Sequence, residues 1–318
     1  MSGLPFTKMH GAGNDYVFLN GLEHRLPENL QQLARTLSHR HHGIGSDGLV
    51  ALTQPMDADH HVRMQMWNAD GSEGLMCGNA ARCVALLLHQ SPQTAPARTA
   101  FHGPTTCLIE TATRVVAAHT INLRSDKTAG RFAVDLGTAT LSESLVCRRD
   151  EFPHLASRVD LPLQVSVHRV SVGNPHAVVF LTEQPPTTAE QSTSGELLGD
   201  AVVREFGQAI ATWSRFPNGL NVEWVQVLDR RTLRVRVWER GSGETQACGS
   251  GACAVAWAAW QLGLCDDAEP LSIILPGGTL TVGRLANEQL QLTGPATLSF
   301  RGTWLSETWL SETWMPGT

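Results

Sequence analysis

Residues Glu239–Cys253 read ERGSGETQACGSGAC, a polar and glycine-rich segment that leads into the apolar run Ala252–Trp260. The apolar run predicts a helix, so Cys248 stands at the point where that helix begins. Backbone N–H groups at the start of a helix have no partner inside it, and the helix dipole is positive there. We therefore expect Cys248 to be a reactive cysteine whose thiolate form is favoured.

The same pattern occurs earlier in the chain. Residues Gly71–Leu88 read GSEGLMCGNAARCVALLL, which is again a Gly/Ser/Glu approach, a Cys-Gly pair and an apolar helix. Aligning the two segments pairs Cys77 with Cys248, Gly78 with Gly249, and Asn79 with Ser250. Two halves that each carry a Cys-Gly helix start indicate one large internal duplication rather than a short-period repeat.

Length and charge narrow the class of protein. The chain has 318 residues, enough for two domains with their own cores, and a formal net charge of −6 gives no sign of binding to nucleic acid or to an anionic membrane. No apolar run reaches the roughly 20 residues of a membrane-spanning helix, and we recognise no signal peptide. We expect a cytoplasmic protein that binds neither nucleic acid nor membrane.

The residues present give little support for a metal or a cofactor. Seven cysteines, an odd number, do not predict a disulfide framework, and the close pairs are spaced more widely than in zinc knuckles. The two lysines, Lys8 and Lys127, are a small supply for a pyridoxal phosphate enzyme, and no phosphate-binding or dinucleotide-binding glycine motif occurs. We expect side chains and backbone alone to perform any chemistry.

Polar residues also occur at predicted strand ends and turns. Asn14 follows a glycine-rich turn, and Asn68 lies near the first Cys-Gly helix start, within the alternating run Val62–Gly71 that predicts a strand ending in an Asp-Gly turn. His176 lies in a Gly-Asn-Pro-His corner between two β-branched strands. Each has an ordinary structural alternative, since Asn14 fits an Asx turn and a lone histidine at a sheet end is often only structural.

Two Cys-Gly helix starts that face one substrate would suit a specific reaction. One cysteine, as thiolate, would remove the α-proton of a small carbon acid, and the other, as thiol, would return a proton to the opposite face and invert the stereocentre. Acid–base catalysis contributes typically ~10²–10⁴-fold, which is too little for an amino-acid α-carbon. Backbone N–H groups at both helix starts could bind the substrate carboxylate and stabilise the developing charge.

Six motifs carry a family resemblance: HGAGND (His10–Asp15), GIGSDG (Gly43–Gly48), NADGSE (Asn68–Glu73), CGNAARC (Cys77–Cys83), GNPH (Gly173–His176) and ERGSGETQACGSGA (Glu239–Ala252). Together they resemble the diaminopimelate epimerase family, in that family's order. The resemblance implies an α+β fold of two pseudo-symmetric domains, each a β-barrel-like sheet around a central helix, with the active site in the cleft between them. It implies a cofactor-independent isomerase that converts LL-diaminopimelate to meso-diaminopimelate in lysine and peptidoglycan biosynthesis, and we expect a homodimer.

The resemblance also assigns roles to the matching positions. Cys77 and Cys248 become the acid–base pair, and His176 and Glu239 flank the reacting centre. The reacting carboxylate would be held by Gly78, Asn79, Gly249 and Ser250. The far amino-acid end of the substrate would be bound by Asn14, Asn68, Asn174, Asn221 and Arg240. A planar guanidinium suits that task because it binds a carboxylate through two hydrogen bonds.

The motifs and loops suggest domain boundaries. We expect an N-terminal domain at residues 1–137, completed by about 288–301, and a C-terminal domain at 138–287. Residues 302–318 contain the repeat TWLSE, whose period of five matches neither a helix nor a strand, so we interpret them as a flexible tail without a catalytic role. Loops are predicted at 91–106 and 183–195.

Other interpretations stay open. A racemase of the same fold could act on another amino acid, such as histidine or a hydroxyproline-like substrate, although Asn68, Asn221 and Arg240 favour diaminopimelate. A redox sensor could instead join Cys77 and Cys248 in a reversible disulfide. A non-catalytic binding module has no need for paired reactive thiols.

Overall fold

The structure is a computed structural model of the chain, and it describes residues 3–90, 106–152, 164–181, 199–200 and 202–305. The predicted loops, apart from Thr106, and residues 306–318 of the predicted tail lie outside the described residues. The chain divides into two compact units. The first comprises Met1–Gly11, Asp15–Val134 and Pro295–Thr318, and the second comprises Ala12–Asn14 and Asp135–Gly294.

The first unit is built from strands with a helix after the second strand and another after the fifth. Its elements are β1 (Leu4–Gly11), β2 (Asn14–Asn20), α1 (Leu30–Ser38), β3 (Gly48–Thr53), β4 (Val62–Asn68), β5 (Glu73–Gly74), α2 (Gly78–Gln90), β6 (Thr106–Glu110), β7 (Val115–Leu123) and β8 (Ala129–Gly137). β3 is parallel to β2 and antiparallel to β4, and β4 is parallel to β6. The late strand Leu290–Trp304 pairs with both β8 and β1, so the sheet closes on itself as a barrel.

The second unit has the same kinds of element. They are β9 (Thr140–Arg148), β10 (Gln164–Ser171), β11 (Pro175–Phe180), α3 (Gly207–Ala211), β12 (Asn221–Asp229), β13 (Thr232–Glu239), β14 (Gly243–Thr245), α4 (Gly249–Gln261), β15 (Leu271–Leu275), β16 (Gly278–Arg284) and β17 (Leu290–Trp304). β12 is parallel to β11 and antiparallel to β13, and β13 is parallel to β15. From Pro295 onward, β17 belongs to the first unit.

The two units repeat one topology. The series β2, β3, β4, β5, α2, β6 and β7 corresponds in order and in pairing to β11, β12, β13, β14, α4, β15 and β16. In both series a short hairpin strand comes just before the helix, and a parallel strand follows it. The predicted duplication and the α+β fold class are therefore confirmed.

The helices α2 and α4 form the centre of their units because they are apolar on nearly every side. Ten residues of α4 are buried, and it carries no charged side chain. It packs against β9, β10, β11, β12, β15 and β16, while α2 packs against β1 and β7. A helix that is hydrophobic all round must be covered on all sides, which a curved sheet does. Among the described residues, no helix is long and apolar enough to cross a membrane.

Local contacts set the bounds of three elements. α1 begins at Leu30, because the side chain of Asn29 accepts a hydrogen bond from the Gln32 N–H at 2.9 Å and caps it. Before β12, a π-helical turn (Val202–Phe206) leads into the short α3. A Cβ at Gly207 would lie 2.9 Å from Trp238 Cβ, so the glycine lets this helix approach β13 closely. Trp304, placed in the tail, pairs with Leu4 at the end of β17.

The cap at Asn29 gives the first testable prediction. Asn29→Ala removes the acceptor for the Gln32 N–H and should lower the free energy of unfolding by about 0.5–2 kcal/mol. Urea denaturation followed by circular dichroism measures this loss. Glu28→Ala, which changes the neighbouring exposed residue, should change the free energy by no more than about 0.5 kcal/mol. Equal effects of the two substitutions would contradict the assigned helix start.

Candidate active site

Cys248 is the N-cap residue of α4, as the apolar run predicts. Its backbone is extended (φ −115°, ψ 115°), and its Sγ accepts a hydrogen bond from the Gly251 N–H at 3.3 Å. The Ser250 hydroxyl lies 3.5 Å from the same sulfur. The side chain is buried, so α4 holds the thiol at a fixed place at its first turn.

The surroundings of Cys248 favour the thiol over the thiolate. Burial raises the pKa of Cys248 well above its usual range, and the negative charges of Glu239 and Glu223 raise it further. The hydrogen bonds from Ser250 and Gly251 lower this pKa, but each is a smaller effect. The expectation of a favoured thiolate is wrong for Cys248, because desolvation and two carboxylates outweigh the helix start.

Glu223 lies directly against the start of α4. A Cβ at Gly251 would be 2.5 Å from Glu223 Oε1, so this approach requires glycine. Glu223 is fully buried, and the same oxygen lies 2.7 Å from His176 Nδ1. Sequence reasoning missed this carboxylate. The sequence feature that could have revealed Glu223 is that it is a lone glutamate inside the buried strand Asn221–Asp229. Charged residues are rarely fully buried without a partner.

His176 is held on both sides of its ring. Its Nδ1 faces Glu223, and its Nε2 lies 3.0 Å from Asn174 Oδ1. The parallel pairing of β11 and β12 sets His176 beside Asn221, whose side-chain oxygen accepts a hydrogen bond from the Arg240 N–H at 2.9 Å. The histidine therefore belongs to a connected polar group rather than standing alone at a sheet end.

Glu239 is the last residue of β13, and Arg240 follows it. Glu239 Oε1 accepts a hydrogen bond from the Thr245 hydroxyl at 2.5 Å. The Arg240 guanidinium is exposed and donates to the Asn218 carbonyl at 2.8 Å, which directs it along the turn at 216–219. The second unit thus contains most of the predicted site residues: Asn14, Asn174, His176, Asn221, Glu239, Arg240, Cys248, Gly249 and Ser250.

The first unit contains the other predicted site residues: Asn68, Cys77, Gly78 and Asn79. Cys77 precedes α2, and its carbonyl accepts the Ala81 N–H at 3.0 Å. The Tyr16 hydroxyl lies 3.6 Å from Cys77 Sγ. Asn68, at the end of β4, donates from its amide to the Ser72 hydroxyl at 2.9 Å. Tyr16 is a contact that the linear motifs did not reveal.

Arg82 lies in α2, four residues after its first residue Gly78, and is buried. Its guanidinium donates to Asn79 Oδ1 at 2.6 Å and to the Pro295 carbonyl at 3.1 Å, and the side chain is fully buried. These bonds fix the Asn79 side chain. The second unit has Cys253 at the matching position, so the two helix starts differ in charge. The sequence signal for Arg82 is one charged residue inside an apolar helix.

The side chains of His176, Glu223 and Cys248 resemble a metal-binding group in composition, with ligand atoms within 4.8 Å of one another. However, the 2.7 Å between His176 Nδ1 and Glu223 Oε1 is a hydrogen-bond distance. Two ligands of a tetrahedral zinc ion lie about 3.3 Å apart, given metal–ligand distances near 2.0 Å. We therefore interpret the contact between His176 and Glu223 as a hydrogen bond.

Comparison with solved structures identifies proteins that share this fold. The chain has the fold of a protein described as a predicted epimerase from Pseudomonas aeruginosa, with a TM-score of 0.65, 18% identity, and 96% of this chain and 100% of that chain covered. At that identity the similarity concerns the fold alone.

Sequence similarity then identifies the family. The diaminopimelate epimerase family model matches residues 6–106 and 169–299. The diaminopimelate epimerase of Pseudomonas fluorescens is 36% identical over 304 residues, covering 94% of this chain and 98% of its own. That of Desulforudis audaxviator is 38% identical over 305 residues, covering 95% and 99%. The chain belongs to the diaminopimelate epimerase family.

The protonation state of Cys248 can be tested by alkylation. In a Cys77→Ser background, iodoacetamide should label Cys248 with a half-maximal rate at a pH well above that of free cysteine, because burial and two carboxylates disfavour the thiolate. Peptide mass mapping separates this cysteine from the others. Glu239→Gln, which removes one negative charge, should move the midpoint to lower pH. A midpoint at or below that of free cysteine would contradict the assignment.

Proposed function

We propose that this chain converts LL-diaminopimelate to meso-diaminopimelate without a cofactor, in the cytoplasm, as a step of lysine and peptidoglycan biosynthesis. The observation that carries the proposal is the repeated topology with a cysteine at the start of each central helix, in a chain of the diaminopimelate epimerase family. An epimerisation needs two proton-transfer groups, one for each face of the α-carbon, and a duplicated cysteine supplies two equivalent groups.

In the proposed mechanism the two thiols exchange roles. Cys77, as thiolate, removes the α-proton from one face, and Cys248, as thiol, gives its proton to the other face. The turnover leaves Cys77 as a thiol and Cys248 as a thiolate, which is the state that the reverse reaction requires. The direction of the Cys248 pKa supports this starting assignment, since a group that is protonated at rest acts first as the acid.

The remaining residues bind the two ends of the substrate. The N–H groups of the first helix turns, at Gly78, Asn79, Gly249 and Ser250, hold the reacting carboxylate, where negative charge accumulates as the proton leaves. His176 and Glu239 flank the reacting carbon. The distal amino-acid group is bound by Asn14, Asn68, Asn174, Asn221 and Arg240. The exposed Arg240 guanidinium supports this role because a second carboxylate can reach it.

The two-base proposal is tested in deuterated water under reducing conditions. Wild-type protein should convert LL-diaminopimelate to the meso isomer with deuterium at the inverted α-carbon. Cys77→Ala and Cys248→Ala should each lose at least about 10²-fold in rate, because each removes the acid or base of one face. Chiral chromatography with mass spectrometry measures both outcomes, and circular dichroism checks the fold.

The control for these variants is Cys265→Ala, which changes a buried cysteine outside the proposed site and should retain activity. Near-normal turnover in either single site variant would exclude the two-base mechanism. Should the wild type leave diaminopimelate unlabelled but label histidine or proline, the chain is a racemase of another amino acid. Labelling of no amino acid would favour the redox interpretation.

The proposed assembly is a homodimer formed through the first unit. Phe300 on β17 is 47% exposed, and its ring stacks edge-to-face on Phe6 with centroids 5.9 Å apart. Nearby in the chain, Leu305 is 68% exposed. Exposed aromatic and aliphatic side chains at the end of one strand are typical of a protein interface.

This assembly can be tested by one substitution. Phe300→Asp should convert the dimer to a monomer in light scattering after size exclusion, because a charge would be buried without a partner in the interface. Val146→Asp changes an equally exposed apolar residue in the second unit and should leave the dimer intact. A monomeric wild type, or a dimer that survives Phe300→Asp, would exclude this interface.

A further inference from the structure

The second unit contains a fully buried carboxylate–imidazole pair. The side chains of Glu223 and His176 are both 0% exposed, and their Oε1 and Nδ1 atoms are 2.7 Å apart. Within the described part of the chain, Glu223 Oε2 has no hydrogen-bond partner. Burying a carboxylate costs free energy unless the carboxylate is paired. The hydrogen bond to His176 therefore offsets much of the cost of burying Glu223.

Glu223 also supports the residue that positions the thiol. Its Oε1 occupies the space that a Cβ of Gly251 would fill, and the N–H of Gly251 is the group that donates to Cys248 Sγ. On the other side, the β11–β12 register sets Glu223 opposite Val178, two residues along β11 from His176. One carboxylate therefore contacts both the histidine and the first turn of α4.

The hydrogen bonds of His176 fix the orientation of its ring. Nδ1 lies against a carboxylate oxygen of Glu223, and Nε2 lies against Asn174 Oδ1. An ionised carboxylate only accepts hydrogen bonds, so Glu223 accepts from Nδ1 and sets the rotation of the ring.

We propose that Glu223 is a positioning residue for the reaction: it orients His176 through Nδ1 and seats the first turn of α4 that carries Cys248, without touching the substrate. This inference rests on the proposed function, in which His176 and Cys248 act at the reacting carbon. The groups that face Cys248 are Glu239 from β13, Glu223 from β12, His176 from β11 and Ser250 from α4. Glu223 contacts the histidine through its Oε1, and the same oxygen lies against Gly251 in the first turn of α4.

The central experiment is a double-mutant cycle. Glu223→Gln keeps the side-chain size but removes the charge, and it should lower kcat about 10–100-fold, the scale seen when a functional imidazole loses its supporting carboxylate. KM should stay nearly unchanged because Glu223 makes no substrate contact. In a His176→Asn background, Glu223→Gln should cost much less than in the wild type, since the ring that it orients is gone and only its charge beside Cys248 is lost.

A matched control exists in the first unit. Glu110 Oε1 lies 2.7 Å from His60 Nδ1, the same pair at the same distance. Glu110→Gln makes the same chemical change at a residue outside the predicted site and should leave kcat and KM at wild-type values. Glu223→Asp serves as a second variant if Glu223→Gln fails to fold: it keeps the charge but shortens the reach to His176, and kcat should again fall.

A readout independent of turnover separates this inference from the proposed function. Proton NMR should show a far-downfield imidazole N–H signal that disappears in Glu223→Gln and in His176→Asn and persists in Glu110→Gln. This pattern in a protein without epimerase activity would support the pair and refute the proposed function. Additive losses in the cycle, an effect on KM alone, or full kcat in a folded Glu223→Asp variant would overturn the positioning role.

Discussion

The burial of an apolar helix inside a curved sheet is the constraint on which the site depends. Because α4 has no charged side chain and is covered by strands on all sides, its position and direction are fixed by packing. Its first turn then places Cys248 beside Ser250 with little freedom of movement. The thiol owes its location to core packing, and a loop of similar composition could not hold it as precisely.

The duplication produces two similar frames whose helix starts carry different charged residues. In the first turns of α2, the buried Arg82 donates to Asn79, whereas the start of α4 meets the carboxylates of Glu223 and Glu239. At Cys248 the two carboxylates and burial favour the thiol, which is the state of a proton donor.

Local sequence patterns predicted most of the fold and part of the site. The Cys-Gly helix starts, the duplication and the corner at His176 depend on residues close together in the chain, so motifs reveal them. Glu223 and Tyr16 act through contacts between distant segments, which no spacing rule records. The expected thiolate at Cys248 failed for the same reason: the helix start is local, but desolvation and the two carboxylates come from other strands.

Because β1 pairs with β17, the barrel of the first unit cannot close until β17 has been made. Leu4 lies opposite Trp304, so β1 meets this partner only after β17 has been made. Until then the edges of β1 and β8 carry open backbone groups, which are templates for association with other chains. Contacts between residues so far apart in the sequence slow folding. A chaperone would therefore matter most while only the first half of the chain has been made.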